Sequence, residues 1–166
     1  PGIVSSYLFS LKVGDTIPLS GPFGDFTILD PNREMVFIGG GVGMAPLRAL
    51  IHHQVSRGTD ARISFWYGAR SMGDTIYRDE FDDLAARHGN FTFTLALSDP
   101  APEDHWDGER GFIHEVAFRT YLSNHPCPEE CHYYLCGPPL MVRAVLAMLD
   151  NLGVDSDAIF FDDFGG

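Results

Sequence analysis

The chain has 166 residues, of which 45% are hydrophobic and 13% aromatic, and a formal net charge of -12 at pH 7. That length suits one compact domain with a sizeable core, or one domain with a short attached piece. The acidic balance argues against a nucleic-acid or anionic-membrane surface, since either needs a basic patch, and no apolar run reaches the roughly 20 residues of a membrane span.

Residues 1–30 read as β-structure. Lys12-Val13-Gly14-Asp15 marks a turn between strand-like pieces, and residues 17–24 suggest a strand leaving through a tight turn. The chain opens Pro1-Gly2 and reads as a segment of a longer protein, with residues 1–31 the tail of a β domain and 32–166 a second domain. From Glu34 onward strands and helices alternate. Residues 35–38 are a short apolar run ending in glycines, the pattern of a buried strand. Pro46 sits at a helix start, where its missing N–H costs nothing, and Leu47, Leu50, Ile51 and Val55 follow at helical spacing up to Gly58. A second strand is expected at 63–67 and a helix at 78–88, with Phe81, Leu84 and Ala85 inward. A third strand follows at 91–97, then a helix over 111–123 on Ile113, Val116 and Leu122. The last units are a strand at 132–136, a helix at 139–152 with Val142, Val145, Leu146 and Leu149 on one face, and a strand at 158–161. Such alternation predicts an α/β fold, a five-stranded parallel sheet with helices on both faces, and right-handed crossovers favour the order 3-2-1-4-5.

In that order strands one and four are neighbours and the winding reverses between them, which is where open α/β sheets bind ligands. The loops after those two strands are the chain's two glycine-marked turns. One is Gly39-Gly40-Gly41-Val42-Gly43-Met44-Ala45-Pro46, the other Cys136-Gly137-Pro138-Pro139. Each joins a strand to a helix N-terminus, where free N–H groups and the helix dipole favour a phosphate. The first turn is not a strict Gly-x-Gly-x-x-Gly, because Met44 stands where the third glycine would be; alone it is equally a tight strand–helix turn. Two such turns at one switch point suggest the two lips of a dinucleotide cleft.

Cys127, Cys131 and Cys136 are an odd, closely spaced set, and a reduced cytosolic setting is the simplest reading. With His132 they fit no standard zinc or iron–sulfur spacing, so no metal site is assigned. His52-His53, Glu103-Asp104 and Asp155-x-Asp157 read as solvated surface groups.

These turns, together with Tyr67-Gly68-Ala69-Arg70 and the aromatic near the C-terminus, resemble the NAD(P)H domain of the ferredoxin–NADP reductase superfamily. Longer stretches are similar to the Na+-pumping NADH:quinone oxidoreductases in particular. These are Ser5-Ser6-Tyr7, Ser20-Gly21-Pro22-Phe23-Gly24, Phe65 to Ser71, Ala96-Leu97-Ser98-Asp99-Pro100, Gly111-Phe112-Ile113-His114 and Asp162-Asp163-Phe164-Gly165-Gly166. The resemblance implies that residues 1–31 end an FAD-binding β-barrel and that 32–166 bind NADH. Gly39 to Pro46 would lie along the pyrophosphate, and Tyr67, Gly68, Ala69 and Arg70 near the adenosine ribose. Arg70 is then either a 2′-phosphate ligand or a surface arginine, and the family favours NADH. Ser98 and Asp99 would contact nucleotide or shape the cleft. Cys136, followed by Gly137, Pro138 and Pro139, would sit beside the nicotinamide as a neutral thiol. Phe164 would cover the flavin ring and swing aside for nicotinamide, or else be a hydrophobic plug. Gly2, Val4, Ser5 and Ser6 would meet the flavin pyrophosphate.

The implied activity is hydride transfer from NADH to FAD, with electrons passing to a [2Fe-2S] centre and finally quinone. The implied partners are a ferredoxin-like domain and membrane subunits at the cytoplasmic face of a bacterial inner membrane. The Arg-x-Tyr-Ser flavin motif, the iron–sulfur cysteines and a membrane helix are absent from this stretch, so it is expected to be incomplete for catalysis. A reductase serving an oxygenase, or a nucleotide-binding module without turnover, would share much of the pattern.

Overall fold

The computed structural model describes residues 2–21 and 23–162. Its centre is a parallel sheet of β1 (Met35–Gly40), β2 (Ile63–Ala69), β3 (Phe91–Leu97), β4 (Glu109–Arg110), β5 (His132–Cys136) and β6 (Ile159–Asp162). The helices are α1 (Ile3–Ser10), α2 (Met44–Ser56), α3 (Arg78–Arg87), α4 (Ile113–Thr120) and α5 (Pro139–Asn151). The strand order is β4-β3-β2-β1-β5-β6. The expected five strands and their order are all present, and the count is corrected to six. The added β4 is two residues long and pairs Ala96 with Glu109 and Leu97 with Arg110. A pair of charged residues has no hydrophobic period; only the free edge of β3 makes it a strand.

Helices cover both faces, so β1 is buried along all of its length. Alternation then divides its side chains. Met35 and Phe37 join Leu47, Ile51, Phe65, Phe81 and Tyr134 in the layer under α2 and α3. Val36 and Ile38 join Trp66, Val116, Leu135, Val145 and Leu149 in the layer under α4 and α5. Phe37 and Tyr134 stack at 5.0 Å, and Tyr134 stacks on Phe160 at 5.0 Å, so one aromatic row crosses β1, β5 and β6.

Among the described residues before Asp30, the expected strands do not form. Residues 3–10 are the helix α1, and 17–21 and 23–24 hold no strand. A strand needs a neighbouring edge for its backbone groups. Here the backbone closes on itself instead, as where the Ser6 N–H donates to the Gly2 carbonyl at 2.9 Å. None of α1 is buried, and Ile3 and Phe9 are more than nine-tenths exposed. Further on, Phe26 and Ile28 pack against the α2-side core.

Candidate nucleotide site

The register Gly39↔Cys136 brings the ends of β1 and β5 side by side, so the loops leaving them touch. The contact is made by glycine. A Cβ on Gly43 would lie 2.0 Å from the Cys136 carbonyl oxygen and 2.6 Å from the Gly137 nitrogen. A Cβ on Gly40 would meet Met141 Sδ at 2.9 Å and the Gly68 carbonyl at 3.4 Å. On Gly68 it would meet Ile113 Cβ at 3.0 Å. Gly41 has a left-handed backbone (φ 55°) and open space where a side chain would project, which suits glycine.

Above these glycines lies a cleft of about 560 Å³ at the carboxyl ends of the central strands. Gly40, Gly41, Gly68, Ala69 and Pro138 line it, together with the polar Arg70, Asp74 and Ser98. Phe112, Ile113, Leu140, Met141 and Ala144 give the lining a large apolar share. Phe112 is 63% exposed and Leu140 74%, and the Phe112 ring stacks on His114 at 6.1 Å. The roles of Phe112, Leu140 and Met141 were not assigned from sequence. The signal available was two large apolar side chains, each beside a helix start, that no helical face required.

Arg70 does not stand free. Its Nε and Nη2 both donate to Asp99 Oδ2 at 3.1 Å, in a pair that is largely exposed. The pairing follows from the sheet, because Ser98 N–H donates to Ala69 O and Asp99 N–H to Arg70 O, extending the β2–β3 ladder past both strands. Asp74 closes the next turn by accepting from Ser71 N–H and Oγ at 3.1 and 2.8 Å.

Several other expected site residues lie behind the surface, and others lie on it away from the cleft. Gly39 leaves room for Leu47, Gly43 is wedged between the turns, and Met44 is buried in the core. Val42 and Ala45 are exposed at the mouth of α2, and Pro46 lies within its first turn, beside a second hollow with Phe26 and Phe160. Pro139 begins α5. Tyr67 is fully buried; its hydroxyl donates to the Gly41 carbonyl at 3.5 Å, so it supports the loop from below. Cys136 is also fully buried, in the α2-side core, with Sγ 3.7 Å from the Asp162 carbonyl oxygen. Burial, and then the nearby Asp162 carboxylate, push its thiol up to about 11, so it is neutral near pH 7. Gly2, Val4, Ser5 and Ser6 sit on or beside α1, and none lines the cleft; Ser5 Oγ donates to the Gly2 carbonyl at 3.0 Å. Phe164 lies outside the described residues.

Residues 37–147 match the family described as "Oxidoreductase NAD-binding domain". The chain belongs to this family. It is 56% identical, over its whole length, to a subunit of the Na(+)-translocating NADH-quinone reductase of Yersinia enterocolitica, and equally to the corresponding subunit from Klebsiella pneumoniae. It spans 41% of the length of each. Among solved structures, it is similar to the flavohem-like FAD/NAD binding domain of nitric oxide dioxygenase from Vibrio cholerae. That match has a TM-score of 0.84 and 29% identity and covers 100% of this chain and 66% of that one. The Amycolatopsis cytochrome P450 reductase GcoB matches with a TM-score of 0.74 and 28% identity, covering 87% of this chain and 42% of that one.

Proposed function

We propose that this chain is the NADH-binding part of a flavoprotein reductase of the Na+-translocating NADH:quinone type. The observation that carries the reading is the glycine cradle at the switch point, where the loops after β1 and β5 meet beside a mostly apolar cleft that Arg70, Asp74 and Ser98 also line. In this reading the pyrophosphate lies along Gly40 and Gly41, near the N-termini of α2 and α5. The adenine rests against Phe112 and Leu140, and the ribose faces Arg70 and Ser98. The Arg70–Asp99 pair supports NADH over NADPH. A 2′-phosphate would have to compete with Asp99 for the guanidinium and would face an added negative charge.

FAD supplies the acceptor for the nicotinamide hydride when it is bound. Gly2, Val4, Ser5 and Ser6 lie at the N-terminus of α1 and are kept as proposed contacts of the flavin pyrophosphate. This chain's residues bind the nucleotide, orient it and exclude water. Cys136 contributes a neutral, buried thiol behind the nicotinamide end, and Phe164 is kept as a proposed gate. The name of the longer relatives supports an electron path onward to quinone, and we assign an intervening iron–sulfur centre and the partner subunits to segments beyond this chain. No helix among the described residues is long and apolar enough to cross a membrane, so attachment to the bacterial inner membrane would come through those partners.

Calorimetric titration of the chain with NAD+ and NADP+ tests the reading. Measurable NAD+ binding with at least tenfold weaker NADP+ binding is expected, a difference of about 1.4 kcal/mol. Preference for NADP+ would overturn the coenzyme assignment. No binding of either, in this chain and in the intact protein alike, would overturn the cleft.

A further inference from the structure

The end of the sheet opposite the cleft carries a second convergence of side chains. Glu34 immediately precedes β1, and His125 and Cys131 lie on the segment that leads from α4 into β5. One ligand-capable atom from each of these three residues lies within 4.8 Å of the other two. His125 Nε2 is 3.4 Å from Glu34 Oε2 and 3.9 Å from Cys131 Sγ. A tetrahedral zinc ion with ordinary bond lengths separates such ligand atoms by roughly 3.3–3.6 Å. The two His125 edges therefore need to change by no more than a few tenths of an ångström, and the Glu34–Cys131 edge, which is at most 4.8 Å, closes by up to about 1.2 Å.

Burial sets this group apart from a chance meeting of surface groups. Cys131 is 1% exposed, and the His125 and Glu34 side chains are 9% and 21% exposed. The carboxylate is also held in place. The Tyr121 hydroxyl donates to Glu34 Oε1, and Arg62 Nη1 donates to that hydroxyl at 3.5 Å. Oε2 is left facing His125, which is the outer support that metal-binding carboxylates commonly have. The inner contacts of the thiol are long. Cys131 Sγ stands 3.9 Å from both the His125 nitrogen and the Cys127 carbonyl oxygen. Thiolate, imidazole and carboxylate together suit zinc far better than magnesium or calcium, which prefer all-oxygen sites.

We propose that Glu34, His125 and Cys131 form a zinc-binding site, with water as fourth ligand, that ties the segment before β5 to the start of β1. On binding, Cys131 loses its thiol proton to solvent. The imidazole proton moves to Nδ1, and the 3.3 Å contact from the Cys127 N–H to that atom is given up. The site is remote from the nucleotide cleft and does not depend on the reading of that cleft. Its effect is on how firmly the 121–131 segment is held, through preferential binding to the folded state.

Cobalt(II) is the probe, titrated into the reduced, metal-free full chain and then displaced with zinc. The expected spectrum has tetrahedral d–d bands and a thiolate-to-cobalt charge-transfer band that saturate at one equivalent and vanish on adding zinc. Cys131→Ser removes the charge-transfer band. Glu34→Gln and His125→Ala weaken binding by on the order of tenfold or more. Cys127→Ser leaves spectrum and stoichiometry unchanged, and zinc raises the melting temperature of wild type and Cys127→Ser alike. The proposal is overturned if the wild-type spectrum lacks a thiolate band, an observation that needs no folded variant. It is equally overturned if the band survives in Cys131→Ser or is lost in Cys127→Ser or Cys136→Ser.

Discussion

Gly43→Ala is the sharpest test of how the two turns are joined. The added methyl carbon would lie 2.0 Å from the Cys136 carbonyl oxygen, 2.3 Å from its carbonyl carbon and 2.6 Å from the Gly137 nitrogen. The two shortest of these are more than an ångström inside ordinary contact. The obstacle is backbone at the end of β5, which is tied to β1 by the parallel ladder and cannot rotate away. Overpacking usually costs about 1–3 kcal/mol, and an unyielding neighbour places this change at the upper end, near 3 kcal/mol. In a domain of this size about 1 kcal/mol moves Tm by ~2–4 °C, so a fall of roughly 6–12 °C is expected in a thermal melt. Gly89→Ala is the control, because no atom lies within 4 Å of its new Cβ, and it should stay within about 0.5 kcal/mol of wild type. Forcing the turns apart also moves both lips of the cleft, so NAD+ affinity measured by calorimetry should fall by about tenfold or more. A Gly43→Ala chain that melts with wild type and binds NAD+ equally well would refute the wedge geometry.

The other expectations concern the cleft and the thiol behind it. Phe112→Ala should weaken NAD+ binding about 5- to 10-fold by calorimetry, the scale of an aromatic contact near 1 kcal/mol, while leaving Tm almost unchanged because the ring is mostly exposed; an equal loss of stability would mark Phe112 as core. Asp99→Ser should free Arg70 and improve NADP+ affinity relative to NAD+ by about tenfold, with little stability change from losing an exposed ion pair. An unaltered coenzyme ratio would show that Arg70 does not face the ribose. Cys136 makes stability depend on alkaline pH. Its thiol titrates near 9 when unfolded and at about 11 when folded, so its contribution is fully present below pH 9 and is lost as pH rises through 11. Urea denaturation between those pH values should show a downward slope that is smaller by about 1.4 kcal/mol per pH unit in Cys136→Ala.

The sheet was legible in the sequence because its central strands are buried on both faces. Met35-Val36-Phe37-Ile38 and His132 to Cys136 can be little else, and Pro46, Gly58, Pro139 and Gly153 bracket the helices between them. Strand order followed from the handedness of crossovers, and the switch point followed from the order. The strand β4 and the state of residues 2–21 and 23–30 were not legible, because both depend on which edges are free to accept a partner and not on local pattern. Hence a charged pair became a strand, and a run that reads as β became a helix.

The sequence by itself marked the switch point, because two glycine turns each follow an apolar strand and open a helix. Tertiary structure alone decided what surrounds that point. It placed Tyr67 and Cys136 behind the wall, set Phe112 and Leu140 on it, and joined Arg70 to Asp99 across two strands. It also gathered Glu34, His125 and Cys131 at the far end of the sheet. In each case the partners are remote or unpatterned along the chain, and their meeting is set by strand register and burial.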